Sequence, residues 1–262
     1  MPVRYRATLA YDGTAYQGFQ RQAGAIPTIQ GAVESAVAAV TGQVVTVTGA
    51  GRTDAGVHAT GQVIAFDVDW QHGDQALLRA INAHLPGDIA LQDICQQPGF
   101  HPRFDALARR YAYRVIVAPQ RQPLLRWRAW QISQPLDSEQ LAAGAARLTG
   151  RHDFGAFGQP PQGESTIREV YGSAWERRLT DAGTEWTYRI EANAFLQHMA
   201  RRIVWLLVKL GRGALSLAEF EAVFLQAQLA KVKGMAPPYG LTLEAVRYPP
   251  EHTAATRWET SG

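Results

Sequence analysis

Apolar and polar positions alternate from the start of the chain. Val3, Tyr5, Ala7 and Leu9 are interleaved with Arg4, Arg6 and Thr8, the period-two pattern of a half-buried strand. The period then lengthens. Ile29, Val33, Ala36, Val37 and Val40 lie on one helical face, with Thr28 as its cap and Gly42 as its stop. Val44–Val47 predicts a strand, and Gln62 to Val68 another. Leu77, Leu78, Ile81 and Leu85 predict a second helix, capped by Asp74 and stopped by Pro86-Gly87. Ile89 to Ile94 predicts a fourth strand. The order β-α-β-β-α-β is the ferredoxin-like arrangement.

After a connector, Pro98 to Asp105, a similar order begins again. Arg110 to Val117 alternates, and Ser138 to Leu148 reads as a helix with Gly150 as its stop. Val170 to Leu179 and Glu185 to Glu191 form a strand pair. A long apolar helix is expected from about Leu196 to Leu210. Ser216-Leu217-Ala218-Glu219 is a capping box for a further helix, and Leu241 to Val246 closes as a strand. The expected fold is mixed α/β (α+β), with two ferredoxin-like or RRM-like βαββαβ halves and antiparallel sheets. Residues 1–97 form the first domain, 98–250 the second and 251–262 a frayed tail. Gly158 to Gly163 reads as a mobile loop.

The stretch between the second and third predicted strands concentrates chemistry. Gly49-Ala50-Gly51-Arg52-Thr53-Asp54-Ala55-Gly56-Val57-His58 sets an arginine and an aspartate two residues apart, so that in extended chain both face one space. A guanidinium beside a carboxylate favours its ionised form, which makes Asp54 a candidate nucleophile. A glycine-rich turn with a surface ion pair is the competing reading. A phosphate loop is disfavoured, because the third glycine of the dinucleotide fingerprint is missing and a strand follows where a helix should start.

Composition narrows the classes. The 262 residues are 46% apolar and 19% charged, enough for a substantial core. The single cysteine, Cys95, excludes an intrachain disulfide and reads as a buried thiol in a reducing compartment. Met1 to Arg6 lacks a signal core, and the apolar run Ile203 to Leu210 is short and broken by Lys209, so a cytoplasmic protein without a membrane span is expected. Net charge is +3. Basic residues cluster at Arg109-Arg110-Arg114, Arg121-Arg126-Arg128, Arg177-Arg178 and Arg201-Arg202, with Tyr111, Tyr113, Trp127, Trp130 and Trp175 among them. That suits a nucleic-acid surface, with solvated faces and core rings as the alternative. No Cys-x-x-Cys pair, Walker A motif or Gly-x-Ser-x-Gly elbow is present, and the histidines show no metal-ligand spacing. His58 reads as a satisfied structural histidine.

Gly51-Arg52-Thr53-Asp54-Ala55-Gly56-Val57-His58 resembles the signature of the tRNA pseudouridine synthase A family. So do Tyr11-Asp12-Gly13 through Gln22, Asn82-x-x-Leu85-Pro86-Gly87-Asp88-Ile89, Phe100-His101-x-Arg103-Phe104, Ala108-Arg109-Arg110-Tyr111-x-Tyr113 and Ala192 to Arg201, in that order. The resemblance implies two α/β halves flanking a central basic cleft, a homodimer, and isomerisation of uridine to pseudouridine at positions 38, 39 and 40 of the tRNA anticodon stem-loop. It implies no cofactor and no metal. By position, Asp54 matches the catalytic aspartate, Tyr111 the ring on the target base, Arg52 the arginine of the same motif, and Arg201 the arginine that pairs with the aspartate. Arg202 and Trp205 depart from the family pattern, where asparagine and glycine are common. The same element order and basic, aromatic-rich surface also fit a non-catalytic RNA-binding protein of paired sheet domains.

Overall fold

A computed structural model describes residues 1–160, 163, 165–225 and 231–252. Parts of the expected Gly158–Gly163 loop (Pro161 and Gln162) and of the expected tail (253–262) lie outside the described residues. Among the described residues the fold is mixed α/β, with five α-helices and ten strands. No helix among them is long and apolar enough to cross a membrane. The chain forms two compact units. Unit 1 comprises Met1–Ala108 and Leu243–Gly262, and unit 2 comprises Arg109–Thr242.

Unit 1 runs β1 (Val3–Tyr11), α1 (Ile29–Thr41), β2 (Thr48–Gly49), β3 (His58–Val68), α2 (Asp74–His84) and β4 (Ile89–Gln96). It is completed by β10 (Leu241–Arg247), which returns to it from the far end of the chain. The strand order is β4-β1-β3-β10, with β2 on β3. β1 pairs antiparallel with β3 and with β4, and Tyr5, Ala7 and Leu9 are buried as their alternation predicts. β3 is buried along nearly its whole length, and strands flank it on both edges.

The helix signals around α1 act as expected. The Thr28 side chain accepts from the Gly31 N–H, and Gly42 closes the helix in the left-handed region at φ 70°. Two expectations fail nearby. Val44–Val47 forms no strand, and only Thr48–Gly49 pairs with β3. The Val47 N–H instead donates to Oε1 of Glu34, a buried carboxylate that also accepts from Gln30 and Arg21. A side chain thus satisfies the donor that a ladder would have used. Asp74 does not cap α2 but is its first helical residue, behind Gly73 at φ 77°. Cys95 is half-buried on β4, and burial pushes its thiol pKa up.

Unit 2 contains β5 (Ala108–Val117), β6 (Trp130–Ile132), α3 (Ser138–Ala146), β7 (Gly150–Asp153), β8 (Ile167–Thr180), β9 (Gly183–Ala192), α4 (Met199–Gly211) and α5 (Leu217–Leu225). The order is β5-β9-β8-β7, antiparallel throughout, while β6 pairs with β5 in parallel. The short strands β6 and β7 carry too few residues to show a period and were not anticipated. The capping box of α5 forms as read: Glu219 accepts from the backbone and hydroxyl of Ser216, and the Ser216 hydroxyl accepts from the Glu219 N–H.

α4 starts three residues later than its apolar pattern suggests. His198 sits at its N-cap in the left-handed region, φ 64°, which ends helical continuity. The preceding residue is drawn aside, because the Gln197 N–H donates to the Gln159 carbonyl at 2.9 Å. The two departures from the family pattern are both accommodated inside unit 2. Arg202 donates to the Phe157 carbonyl, and Trp205 stacks on Trp130 with centroids 5.7 Å apart and planes at 8°. Gly234 lies so close to the Trp205 indole that a Cβ there would collide with it.

Candidate active site

The segment from Gly49 to Val57 joins β2 to β3 and is fastened at successive residues. The Ala50 N–H donates to the Val63 carbonyl at 2.8 Å, and Nε2 of Gln62 donates to the Gly51 carbonyl at 2.8 Å. Thr53 is buried. Its carbonyl accepts from the Phe19 N–H at 3.0 Å, and its hydroxyl lies 2.8 Å from the Tyr11 hydroxyl. The next residue, Asp54, then starts a tight turn. The Val57 N–H donates to the Asp54 carbonyl at 3.1 Å, and Gly56 takes φ 76°, the positive angle that a type II turn requires at its third residue. A second glycine is needed opposite. Gly18, at φ 93°, lies so close to the turn that a Cβ would sit 2.8 Å from the Thr53 carbonyl oxygen.

The result is a carboxylate on a loop with little freedom. The Asp54 side chain is half-buried, neither lost in the core nor fully in solvent. Arg52, two residues before Asp54, is exposed. The two flank the buried Thr53, which faces the opposite way, as period-two geometry demands.

His58, the first residue of β3, is buried. Its Nδ1 accepts the Gly13 N–H at 3.1 Å, and Asp12 Oδ1 lies 3.0 Å from the same nitrogen. This is the structural role expected for it, tying β3 to the loop after β1.

Tyr111 and Arg201 belong to unit 2. Tyr111 lies on β5 opposite Ile190, is 9% exposed, and has the ring of Phe195 edge-on at 4.9 Å. Arg109, two residues before it, donates to the Asn193 carbonyl. Arg201 is in the first turn of α4 and is 8% exposed, so it is no solvated surface cation. Its Nε donates to the Ala236 carbonyl at 2.9 Å, and the Ala236 N–H returns to the Arg201 carbonyl. Buried Tyr113 donates to the Pro237 carbonyl beside it, and desolvation pushes its phenol well above the usual range.

Reading the sequence did not single out Gln62. It is fully buried on β3, and its Oε1 has no hydrogen-bond partner among the described residues. The signal was an amide directly before the apolar run Val63 to Phe66 of a strand. Among the described residues no group of three or more His, Cys, Asp or Glu is placed to hold a metal ion.

The sequence matches the family model of the tRNA pseudouridine synthases over residues 7–105 and 145–249, a span that includes the Asp54 turn, β3, and Arg201. It is 42% identical over 248 residues to the tRNA pseudouridine synthase A of Neisseria gonorrhoeae, covering 94% of this chain and 92% of that protein. It is 42% identical over 250 residues to the enzyme of the same name from Chloroflexus aurantiacus, covering 92% and 87%. With that of Methylacidiphilum infernorum it shares 37% identity over 250 residues, covering 95% and 97%. With matches of this length and identity, running from the first strand to the last, the chain belongs to the tRNA pseudouridine synthase family.

Proposed function

We propose that this protein, an isomerase by its family, converts uridine to pseudouridine at positions 38, 39 and 40 of the tRNA anticodon stem-loop, with Asp54 as the catalytic carboxylate. The observation that carries this reading is the family match through a turn that holds one half-buried carboxylate on a backbone fixed from Gly51 to Val57. Converting an N-glycoside to a C-glycoside requires detaching the base, turning it and rejoining it through carbon. No net redox change or phosphate energy is involved, so no cofactor is called for. A carboxylate can attack the anomeric carbon, attack the uracil ring, or remove a sugar proton to give a glycal.

The target uridine has to leave its stack, at a cost of a few kcal/mol. In this reading Tyr111 lies on the extruded base and returns about 1–3 kcal/mol by stacking. Arg201 pairs with the aspartate, and Arg52, exposed and two residues from it, grips the RNA backbone or fills the vacated space. The wider picture is of two ferredoxin-like halves flanking a basic cleft, in a cytoplasmic homodimer. The burial of Arg201 supports it, because an arginine held out of water by a backbone carbonyl is preorganised to meet an anion.

The test is release of tritium from C5-labelled uridine in tRNA. Wild-type protein releases it with the strand intact. Asp54→Asn and Asp54→Ala release none while still binding tRNA. Turnover by the alanine variant would refute the assignment of Asp54, and retention of tritium by the wild type would leave a non-catalytic RNA-binding protein.

A further inference from the structure

The segment Phe100–Asp105 of unit 1 takes no part in the chemistry above, yet it is among the most heavily fastened loops of the molecule. Phe100 is fully buried, edge-on to Tyr248 at 5.1 Å, and its carbonyl accepts from Arg4. The Tyr248 hydroxyl donates to the Pro102 carbonyl at 2.7 Å. Asp105 is turned inward: its carboxylate accepts the His101 N–H at 2.8 Å, and its own N–H donates back to the His101 carbonyl at 3.1 Å. His101 Nδ1 accepts the N–H groups of both Arg103 and Phe104, each at 3.2 Å.

All of this holds one ring in water. Phe104 is 73% exposed. The His101 imidazole lies against it, with centroids 4.2 Å apart and planes at 31°. The Arg103 guanidinium is 5.8 Å from the Phe104 centroid. A single exposed phenylalanine is ordinary on a protein surface. A phenylalanine backed by a second ring, flanked by a guanidinium and set on a loop whose backbone is pinned at six residues is not, because the ordering cost of a contact has already been met before any partner arrives.

We infer that His101 and Phe104 form a stacking platform for an unpaired nucleobase of the tRNA substrate, with Arg103 beside it for the adjoining phosphate. The inference rests on the tRNA reading and adds a point of attachment on residues that are not assigned to the reaction. The chemistry selects the occupant. A ring pair with a guanidinium over one ring matches a base next to a phosphate, and stacking accepts any base.

The test compares wild type with Phe104→Ala and Phe104→Trp. Stacking of about 1–3 kcal/mol per base, at about 1.4 kcal/mol per tenfold, predicts that Phe104→Ala weakens tRNA binding, measured by fluorescence anisotropy, about tenfold. KM rises by a similar factor, kcat changes by less, and Phe104→Trp restores affinity. The added tryptophan gives a direct signature: its emission, taken as a difference from wild type, is quenched on adding tRNA. Unchanged affinity in the alanine variant, or an added tryptophan insensitive to tRNA, overturns the platform, and so does a change in sedimenting mass, which would place the ring between two copies of the chain. Failure of the underlying reading is separate: it would appear as no tritium release by the wild type, whatever Phe104 does.

Discussion

Replacing Gln62 by leucine tests whether the amide beneath the loop serves stability or position. The side chain makes one useful contact, from Nε2 to the Gly51 carbonyl at 2.8 Å, and carries one burden, a buried Oε1 without a partner. Leaving the Gly51 carbonyl without its donor costs about 1–3 kcal/mol, while removing a buried unsatisfied oxygen returns about 1–3 kcal/mol, so the two nearly cancel. Leucine is close in volume and suits a fully buried site on β3. The change in unfolding free energy should therefore lie within about 1 kcal/mol of zero. Position is another matter. Gly51 is the last anchored residue before Arg52, Thr53 and Asp54, and a displacement of about 1 Å in a catalytic group can cost about a hundredfold in rate. Urea unfolding gives the first quantity, and single-turnover tritium release from C5-labelled tRNA gives the second. The expected result is near-native stability with a rate at least about tenfold lower, which is about 1.4 kcal/mol on the barrier. A folded variant with a native rate would show that Gln62 positions nothing. A stability loss above about 3 kcal/mol would show that the orphan oxygen is no burden.

Two further outcomes follow from unit 2. Burial pushes the Glu185 carboxyl up, but Arg114 at 2.9 Å and Arg178 at 3.5 Å outweigh it and hold its pKa below the usual value. A depressed folded-state pKa stabilises above the unfolded value and is lost as pH falls through the folded one. The stability gap between wild type and Glu185→Gln should thus be widest near neutrality and close below about pH 4.3, as followed by thermal melts across pH. Gly234→Ala should cost about 1–3 kcal/mol by overpacking against the Trp205 indole, and most of that cost should vanish in a Trp205→Gly background. A double-mutant cycle in urea showing simple additivity would contradict the collision.

The elements most legible in the sequence are those whose signals act locally. Thr28 and Gly42 bracket α1, and Ser216 with Glu219 begins α5, because caps depend on residues within one turn. Failures came where distant groups decide. Val44–Val47 has strand composition, but the inward-reaching Glu34 takes its backbone donor. Leu196 to His198 has helical composition, but the Gln159 carbonyl draws the chain aside. At the candidate site the motif showed which residue bears the carboxylate. It could not show that Arg52 would point to solvent while Arg201 lay buried, because burial is set by what packs around a residue and not by its neighbours in sequence.

The return of the last strand to unit 1 has a consequence for how the molecule is made. β10 lines the open edge of β3, Leu107 donates to the Arg247 carbonyl, and Tyr248 covers Phe100. On the ribosome these partners emerge only after the whole of unit 2 has been synthesised. The first-made half must therefore wait, its β3 edge open to pairing with a neighbouring nascent chain, so the order of translation and the order of assembly run in opposite directions.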